Sequence, residues 1–599
     1  MSDFALSISS PNGETELRIT VAPDHELYRV SPGTLRAEIV RRGARVVDCR
    51  TIGLQCDGAP PLMSCLHARV IDRQSRDQTW SPVLSENATV PDRHESVVLS
   101  LEEALEPRRR LEMEFRVYDD AVALRYRVPR DATAGISVRQ ESVRLQFAEG
   151  ATGYQQTYPE DRYQLTPLEQ LHTPTEAPLV IRTPPCPFVG LLEAANLDWP
   201  GLKFTADARR PGSVRFHLTG EATLDPGAVS PWRVIRVVDR AIDLVGTSDL
   251  IATLCPPCAV SDTRWIRPGK AIRDITLSTA GGLACIEFAR RRGLRHILYD
   301  AGWYGHEYDD AADARQVSPD PDRTSKVPGH GGLDLRTVIA EAARHDIGVF
   351  LYVNRRALER QLDALLPLYQ SWGVAGIKFG FVETGSSRWT AWLTDAVRRC
   401  AEYQLMVDIH DFYRPTGLSR TFPNLLTQEG TRGNEHYPDS VHNCTLPYTR
   451  FIAGAADYTI CYRIPRLKTT SAHQLAMAAV YFSPLQLLYW YSRPDQYVGL
   501  DRELDWFDHV PTTFDQTLPI AGEIGQYIVL ARRKEQRWYL GVLNADAERT
   551  INIDLDRFGA RSATVFQDAP DGAVDVQTVQ SKSLTLRLAP HGGAAIRIE

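Results

Sequence analysis

The run Ile347-Gly-Val-Phe-Leu-Tyr-Val-Asn354 is apolar until it ends on a polar residue, and two later runs are also strand-like: Val374-Ala-Gly-Ile-Lys-Phe-Gly-Phe381, and Leu405-Met-Val-Asp-Ile-His-Asp411, which ends on two polar residues. Helix-like stretches separate them, Ala357 to Trp372 and Trp389 to Tyr403. The runs recur at intervals of about 28 to 30 residues, the size of one βα unit. Upstream the rhythm is the same, with helix-like Gly281 to Arg292 before His296-Ile-Leu-Tyr-Asp300 and helix-like Leu335 to Arg344 before the first run. Strands alternating with helices predict a parallel sheet. No GxGxxG or Walker loop follows any strand, whereas polar residues stand at the C-terminal ends: Asp300, Asn354, Asp411 and Glu429. That chemistry favours a (β/α)8 TIM-like barrel over a doubly wound sheet, with the barrel at 259–510.

On both sides of the barrel the period changes to two. From about Leu17 to Val260, short alternating runs such as Glu16 to Val21, Leu111 to Val117, Ala121 to Val128 and Val214 to Leu218 lie between turn signals, and long amphipathic helix patterns are nearly absent. This predicts an N-terminal β-sandwich over residues 1–258, ending in the Pro-rich stretch Cys255 to Pro268. After Pro511, Tyr527 to Arg532, Trp538 to Leu543, Thr550 to Leu555, Leu584 to Leu588 and Ala594 to Ile598 describe a small C-terminal β domain, 511–599. The fold class is therefore multidomain, α/β and all-β.

The chain has 599 residues, enough for several separate cores, and a net charge of -7 with both signs spread along it. It has neither the basic stripe that nucleic acid requires nor a polybasic patch for anionic lipid. No basic segment with an apolar run opens the chain, and no window approaches a membrane span, so the expectation is a cytoplasmic protein. Ten dispersed cysteines read as free thiols, and Cys255-Pro-Pro-Cys258, with no second pair nearby, reads as a linker rather than a zinc site.

The segment Ile409 to His436 sets Asp411, Glu429 and Glu435 among His410, Arg414, Arg420 and Asn424, directly after a strand-like run. Convergent carboxylates beside polar donors suit a sugar and a hard cation. Aromatic and polar residues near strand ends can stack on and hydrogen-bond a pyranose, which makes Trp303, Tyr304, His410, Arg414 and Asn424 candidates. Core packing is the competing reading for Trp303, and for Tyr489-Trp-Tyr491 it is preferred.

With the barrel placed, the sequence resembles glycoside hydrolase family 97, bacterial α-glucosidases and α-galactosidases with this three-domain order. The resemblance spans essentially the whole chain and rests on Tyr299-Asp-Ala-Gly-Trp-Tyr-Gly305, Gly373-Val-Ala-Gly-Ile-Lys-Phe-Gly380, Arg414-Pro-Thr-Gly417, Arg420-Thr-Phe-Pro-Asn424, Gln428-Glu-Gly430 and Ser483-Pro-Leu-Gln486. It implies that Glu435 is the general acid; a loop glutamate paired with Arg432 is the alternative. It also implies a calcium ion held by Asp411, Glu429, Glu435 and, from the sandwich, Glu193, whose alternative is an ordinary strand-end carboxylate.

The family divides by mechanism. Retaining members carry an aspartate nucleophile where this chain has Gly380, which implies the inverting branch. There water is activated by carboxylates, one matching Asp411; the other falls on Asn354, which is no base, so Asp411 alone or Glu383 is left for that role. The expectation is a calcium-dependent, exo-acting, inverting α-glucosidase on small α-glucosides or oligosaccharides. An α-galactosidase, a catalytically silent carbohydrate-binding protein and a metal-dependent lyase or isomerase are the rivals. The oligomeric state is not legible.

Overall fold

The computed structural model describes residues 4–22, 33–184, 187–324, 326–327 and 331–599. The N-terminal part stacks an eight-stranded and a nine-stranded antiparallel sheet, with a three-stranded sheet beside them. Alternation along Thr15–Ala22 turns Leu17, Ile19 and Val21 inward, where they share a core with Phe115, Tyr126 and Ile235 of the other sheet.

The barrel follows: β1 (Gly269–Asp274), α1 (Thr279–Arg292), β2 (His296–Tyr299), α2 (Leu335–Arg344), β3 (Gly348–Asn354), α3 (Arg355–Trp372), β4 (Gly376–Gly380), α4 (Ser387–Glu402), β5 (Met406–Ile409), β6 (Leu425–Gln428), α5 (Ser471–Val480) and β7 (Leu485–Leu488). These strands are parallel neighbours in the order β6-β5-β4-β3-β2-β1-β7. The irregular segment 457–461 closes the ring, because Asp457 N–H donates to the Gln428 carbonyl at 3.0 Å and Ile460 N–H to the Leu487 carbonyl at 3.0 Å. The helices begin where short polar side chains satisfy their free N–H groups: Ser278 accepts from Gly281 N–H, Asp334 from Thr337 N–H and Asn354 from Arg356 N–H. Gly293 and Gly373 end α1 and α3 at φ 64° and 81°.

β2 to β5 fall on the runs read from the sequence. β1, β6, β7 and segment 457–461 carry no such signal, being at most six residues long and interrupted by charged or polar residues. Among the described residues no helix is long and apolar enough to cross a membrane.

In the C-terminal domain, a six-stranded sheet packs on α5, which is buried along its whole length. Gly541 allows this approach: a Cβ there would lie 2.6 Å from the Ala476 carbonyl. One buried arginine joins all three domains. Arg532, on strand Tyr527–Lys534, donates to the Ala479 carbonyl at 2.6 Å and to Glu86 of the sandwich at 2.8 Å. Glu86 in turn accepts from Ser248 at 2.7 Å. Arg532→Met should cost about 3–5 kcal/mol, because it strands the buried Glu86 charge. Glu86→Gln in the same background should recover part of that loss. Thermal unfolding of the single and double variants checks this, and strictly additive losses would contradict it.

Candidate active site

The C-terminal ends of the barrel strands carry a concentration of left-handed backbone. Phe381 after β4 (φ 49°), Asp411 after β5 (φ 63°), Gly430 after β6 (φ 47°), Thr459 (φ 55°) and Tyr489 after β7 (φ 60°) all turn the chain sharply. Such conformations cost energy for side chains other than glycine and tend to gather at functional sites. Arg450 fixes one of these turns. It is fully buried and donates to the carbonyls of Gln428, Glu429, Gly430, Gly454 and Ala455. Burial lowers its pKa to about 9.

Within that ring charges alternate. Asp300 lies 3.5 Å from Lys378 and 3.4 Å from Arg273. Burial works to raise its pKa, but Lys378, Arg273 and His410 outweigh it and hold the carboxyl at about 2. His410 Nδ1 sits 2.9 Å from Glu429, and its Nε2 sits 3.2 Å from Asp457 without hydrogen-bond alignment. Burial disfavours its imidazolium, yet Glu429 above all raises its pKa well above the ordinary value. Glu429 is itself pushed well up, first by burial and then, against the pull of His410, by Glu435 and Glu160. Asp408, buried beside Asp457, is raised for the same two reasons, burial and a like charge.

The carboxylates read from the sequence converge in part. Asp411 N–H donates to Glu429 at 2.7 Å, and the Asp411 carboxylate accepts from Phe381 N–H. Glu435, on the short helix Asn434–His436, accepts from Trp490 Nε1 at 2.9 Å. Arg273 and Lys378 stand over the Trp490 ring at 4.5 and 4.2 Å, so this tryptophan is core, as read, and also orients Glu435.

Among the described residues, Asp408, His410 and Asp457 form one set of ligand atoms within 4.8 Å of one another, and the expected carboxylates fall in two others: Glu160, Asp411 and Glu429, and His410, Glu429 and Glu435. The sandwich therefore contributes Glu160, which the sequence reading missed. Arg432 donates to its carbonyl at 3.0 Å, and His436 Nε2 lies 3.2 Å from its carboxylate. Glu193, expected as the sandwich ligand, belongs to none of these sets. Its carboxylate pairs with buried Arg233, which also holds Glu141, and it lines a cavity of about 440 Å³ between sandwich and barrel, together with Asn196, Trp389, Phe412 and Arg414.

Other expectations need correction. Asn424 immediately precedes β6, at the N-terminal end of the barrel, where it donates to the Val397 and Leu405 carbonyls. Trp303 is fully buried and donates to the Tyr352 carbonyl at 2.7 Å, so it is core; Tyr304 is buried beside it and accepts from Asn354 N–H. Arg414 is committed to the sandwich, donating to the Ala177 carbonyl and to Gln156. Glu383 is half exposed and pairs with Arg355 at 3.3 Å. Asn354 caps α3.

The aromatic rings open to solvent near this mouth are others. Tyr308 and Phe381 meet edge-on at 5.3 Å between ring centroids, and Tyr158 and Phe412 at 6.3 Å; all four are more than two-fifths exposed. They follow or flank Glu307, Gly380, Asp411 and Glu160. Exposed aromatic faces beside carboxylates offer what a pyranose binds. Tyr308 and Phe381 were hard to single out because isolated aromatics are common in any chain.

The family model described as Glycosyl-hydrolase 97 N-terminal matches residues 8–257, Glycoside hydrolase 97 matches 273–431, and Glycosyl-hydrolase 97 C-terminal, oligomerisation matches 513–599. The chain is 27% identical over 573 residues to a retaining α-galactosidase of Bacteroides thetaiotaomicron, covering 81% of this chain and 83% of that one. It is 29% identical over 401 residues to a probable retaining α-galactosidase of Streptomyces bingchenggensis, covering 64% and 60%. Both names specify retention, so the inverting branch finds no support among them. A glycoside hydrolase family 97 enzyme from Pseudoalteromonas sp. strain K8, solved with panose and with acarbose, superposes with a TM-score of 0.88 at 22% identity, over 99% of this chain and 100% of that one. With matches in all three of its domains, the chain belongs to glycoside hydrolase family 97.

Proposed function

We propose that this glycosidase is a calcium-dependent, exo-acting enzyme that cleaves small α-glycosides with inversion. The observation that carries the reading is Glu435, part-buried, oriented by Trp490 and set beside Glu429 at a mouth rimmed by exposed aromatic rings. A glycosidic oxygen leaves readily only when protonated, and Glu435 is the carboxyl group best oriented to protonate it. The sandwich loop carrying Tyr158 and Glu160 meets the barrel mouth at Phe412, Asp411 and Glu429, and a mouth bordered on that side suits action at a chain end.

The donor set fits a hard cation. Glu160, Asp411 and Glu429 bring carboxylate oxygens together, Glu435 adds a further one beside Glu429, and the strain on Glu429 is what an added positive charge would relieve. Bound there, calcium would supply positive charge that keeps Glu160, Asp411 and Glu429 ionised and orients a sugar hydroxyl, while Glu435 carries the proton for the leaving oxygen. Asp411, beside the Gly380–Phe381 peptide, is placed to orient water, whereas Gly380 offers no nucleophile.

An α-glucoside is the first reading of the substrate, supported by the panose and acarbose bound to the structural neighbour. An α-galactoside is the second, and it is carried by the names of the two curated relatives. A screen of nitrophenyl α-glycosides separates them; no turnover of any member would defeat the proposal.

Exhaustive chelation should abolish turnover, with calcium restoring it and magnesium doing so poorly. Calcium should also raise the unfolding temperature. Glu160→Gln should increase the calcium needed for half of that shift by about 10- to 100-fold, and Glu193→Gln should leave it nearly unchanged. The opposite ranking would return the ligand role to Glu193.

Glu435→Gln should slow hydrolysis of a disaccharide by about 10²- to 10⁴-fold and hydrolysis of a dinitrophenyl glycoside far less. Equal losses on both substrates would remove Glu435 from the acid role.

A further inference from the structure

Gly380 ends β4 where a side chain would project into the mouth, but the space is already filled. A Cβ built there would lie 2.0 to 2.2 Å from the outer ring atoms and hydroxyl of Tyr352, which comes from the neighbouring β3. Asp411 borders the same step of backbone, because its carboxylate accepts from Phe381 N–H. Tyr352 and Asp411 therefore flank one peptide at the strand end.

Tyr352 is not merely filling. Its hydroxyl donates to Glu307 at 2.8 Å, and Asn354 Nδ2 approaches the same oxygen at 3.4 Å. Glu307, in the loop after β2, is buried and braced from its other side by Arg323 at 2.5 Å. Tyr308 and Phe381, each one residue beyond Glu307 and Gly380, bring their exposed rings together at 5.3 Å. A sugar laid on those rings would lie beside the strand end that the Tyr352 hydroxyl fills at Gly380. An ion-paired glutamate bonded to a buried tyrosine at a strand end is more than packing requires, since phenylalanine would fill the same volume without burying a polar pair.

A water attacking an anomeric carbon presents two hydrogens and is held best by two acceptors. Asp411 supplies one. We propose that Tyr352 supplies the other, and that Glu307, acting through the Tyr352 hydroxyl, accepts the proton that the attacking water gives up. As the water oxygen bonds to the anomeric carbon, the bond from that carbon to the leaving oxygen breaks and Glu435 delivers its proton to the leaving oxygen. One water proton passes to Tyr352 Oη while the tyrosine's own proton moves to Glu307. Exchange with solvent then restores Glu435 and Glu307. This inference rests on the inverting reading and adds the proton acceptor that Asn354 and Glu383 do not provide.

The test uses Glu307→Ala, Glu307→Gln and Tyr352→Phe in the full-length protein with calcium present, and circular dichroism melts confirm folding. All three should lower kcat by about 10²- to 10⁴-fold with little change in KM. Unlike Glu435→Gln, they should do so equally for a disaccharide and a dinitrophenyl glycoside, because a water-side defect is indifferent to the leaving group. Azide needs no base, so it should restore turnover of the dinitrophenyl substrate by Glu307→Ala and release the β-glycosyl azide. Wild-type-like kcat in Glu307→Gln, a loss confined to the poor leaving group, an α-glycosyl azide, or a folded Tyr352→Phe that retains full activity would each overturn the relay while leaving the hydrolase reading intact. A wild-type protein inactive on every α-glycoside would instead remove the hydrolase reading, and the relay with it.

Discussion

Burying several carboxylates at one end of a barrel is tolerable only if cationic or hydrogen-bonding groups face them, and His410 is the partner on which this site depends. Its two ring nitrogens stand 2.9 Å from Glu429 and 3.2 Å from Asp457. Lys378 and Arg273 do the same for Asp300. Isolated buried charges would neutralise rather than persist. With the pairs in place, Asp300 remains ionised, while Glu429, crowded by Glu160 and Glu435, still carries a strain that its own neighbours leave unrelieved. That residual imbalance is the physical case for a cation at the site. Arg450 makes the arrangement rigid by tying down the carbonyls of the turn that carries Glu429.

Much of this was legible in the chain. The βα rhythm gave β2 to β5 because each is an apolar run flanked by an amphipathic helix, and Asp411, Glu429 and Glu435 were found together because they lie on consecutive turns of one segment. Failures came where linear order and space diverge. Glu160 reaches the barrel from a sandwich loop held by Arg432 and His436, a contact that no spacing encodes. Asn424 is close to Glu429 in sequence but stands at the opposite end of a four-residue strand, and without that boundary its end of the barrel could not be read. Trp303 and Tyr352 illustrate the converse. Both are aromatic, and burial with a backbone partner makes one structural, whereas a carboxylate partner at the strand end gives the other a chemical role.

Gly380 joins the fold to the mechanism. Its missing side chain lets Tyr352 cross from β3 into the place where a β4 residue would otherwise reach the substrate. The glycine that leaves this strand end without a nucleophile thus makes room for a hydroxyl already bonded to Glu307. The relatives reported above are named as a retaining and a probable retaining α-galactosidase, so inversion would set this chain's outcome apart from theirs.

The stereochemistry of the first product tests that claim most directly. Proton NMR in the opening minutes of hydrolysis of an α-glycoside should show the β-anomer appearing first, with the α-anomer growing only by mutarotation. Initial release of the α-anomer would mean that a protein group forms a glycosyl intermediate, and the account built on Gly380 and Tyr352 would be wrong.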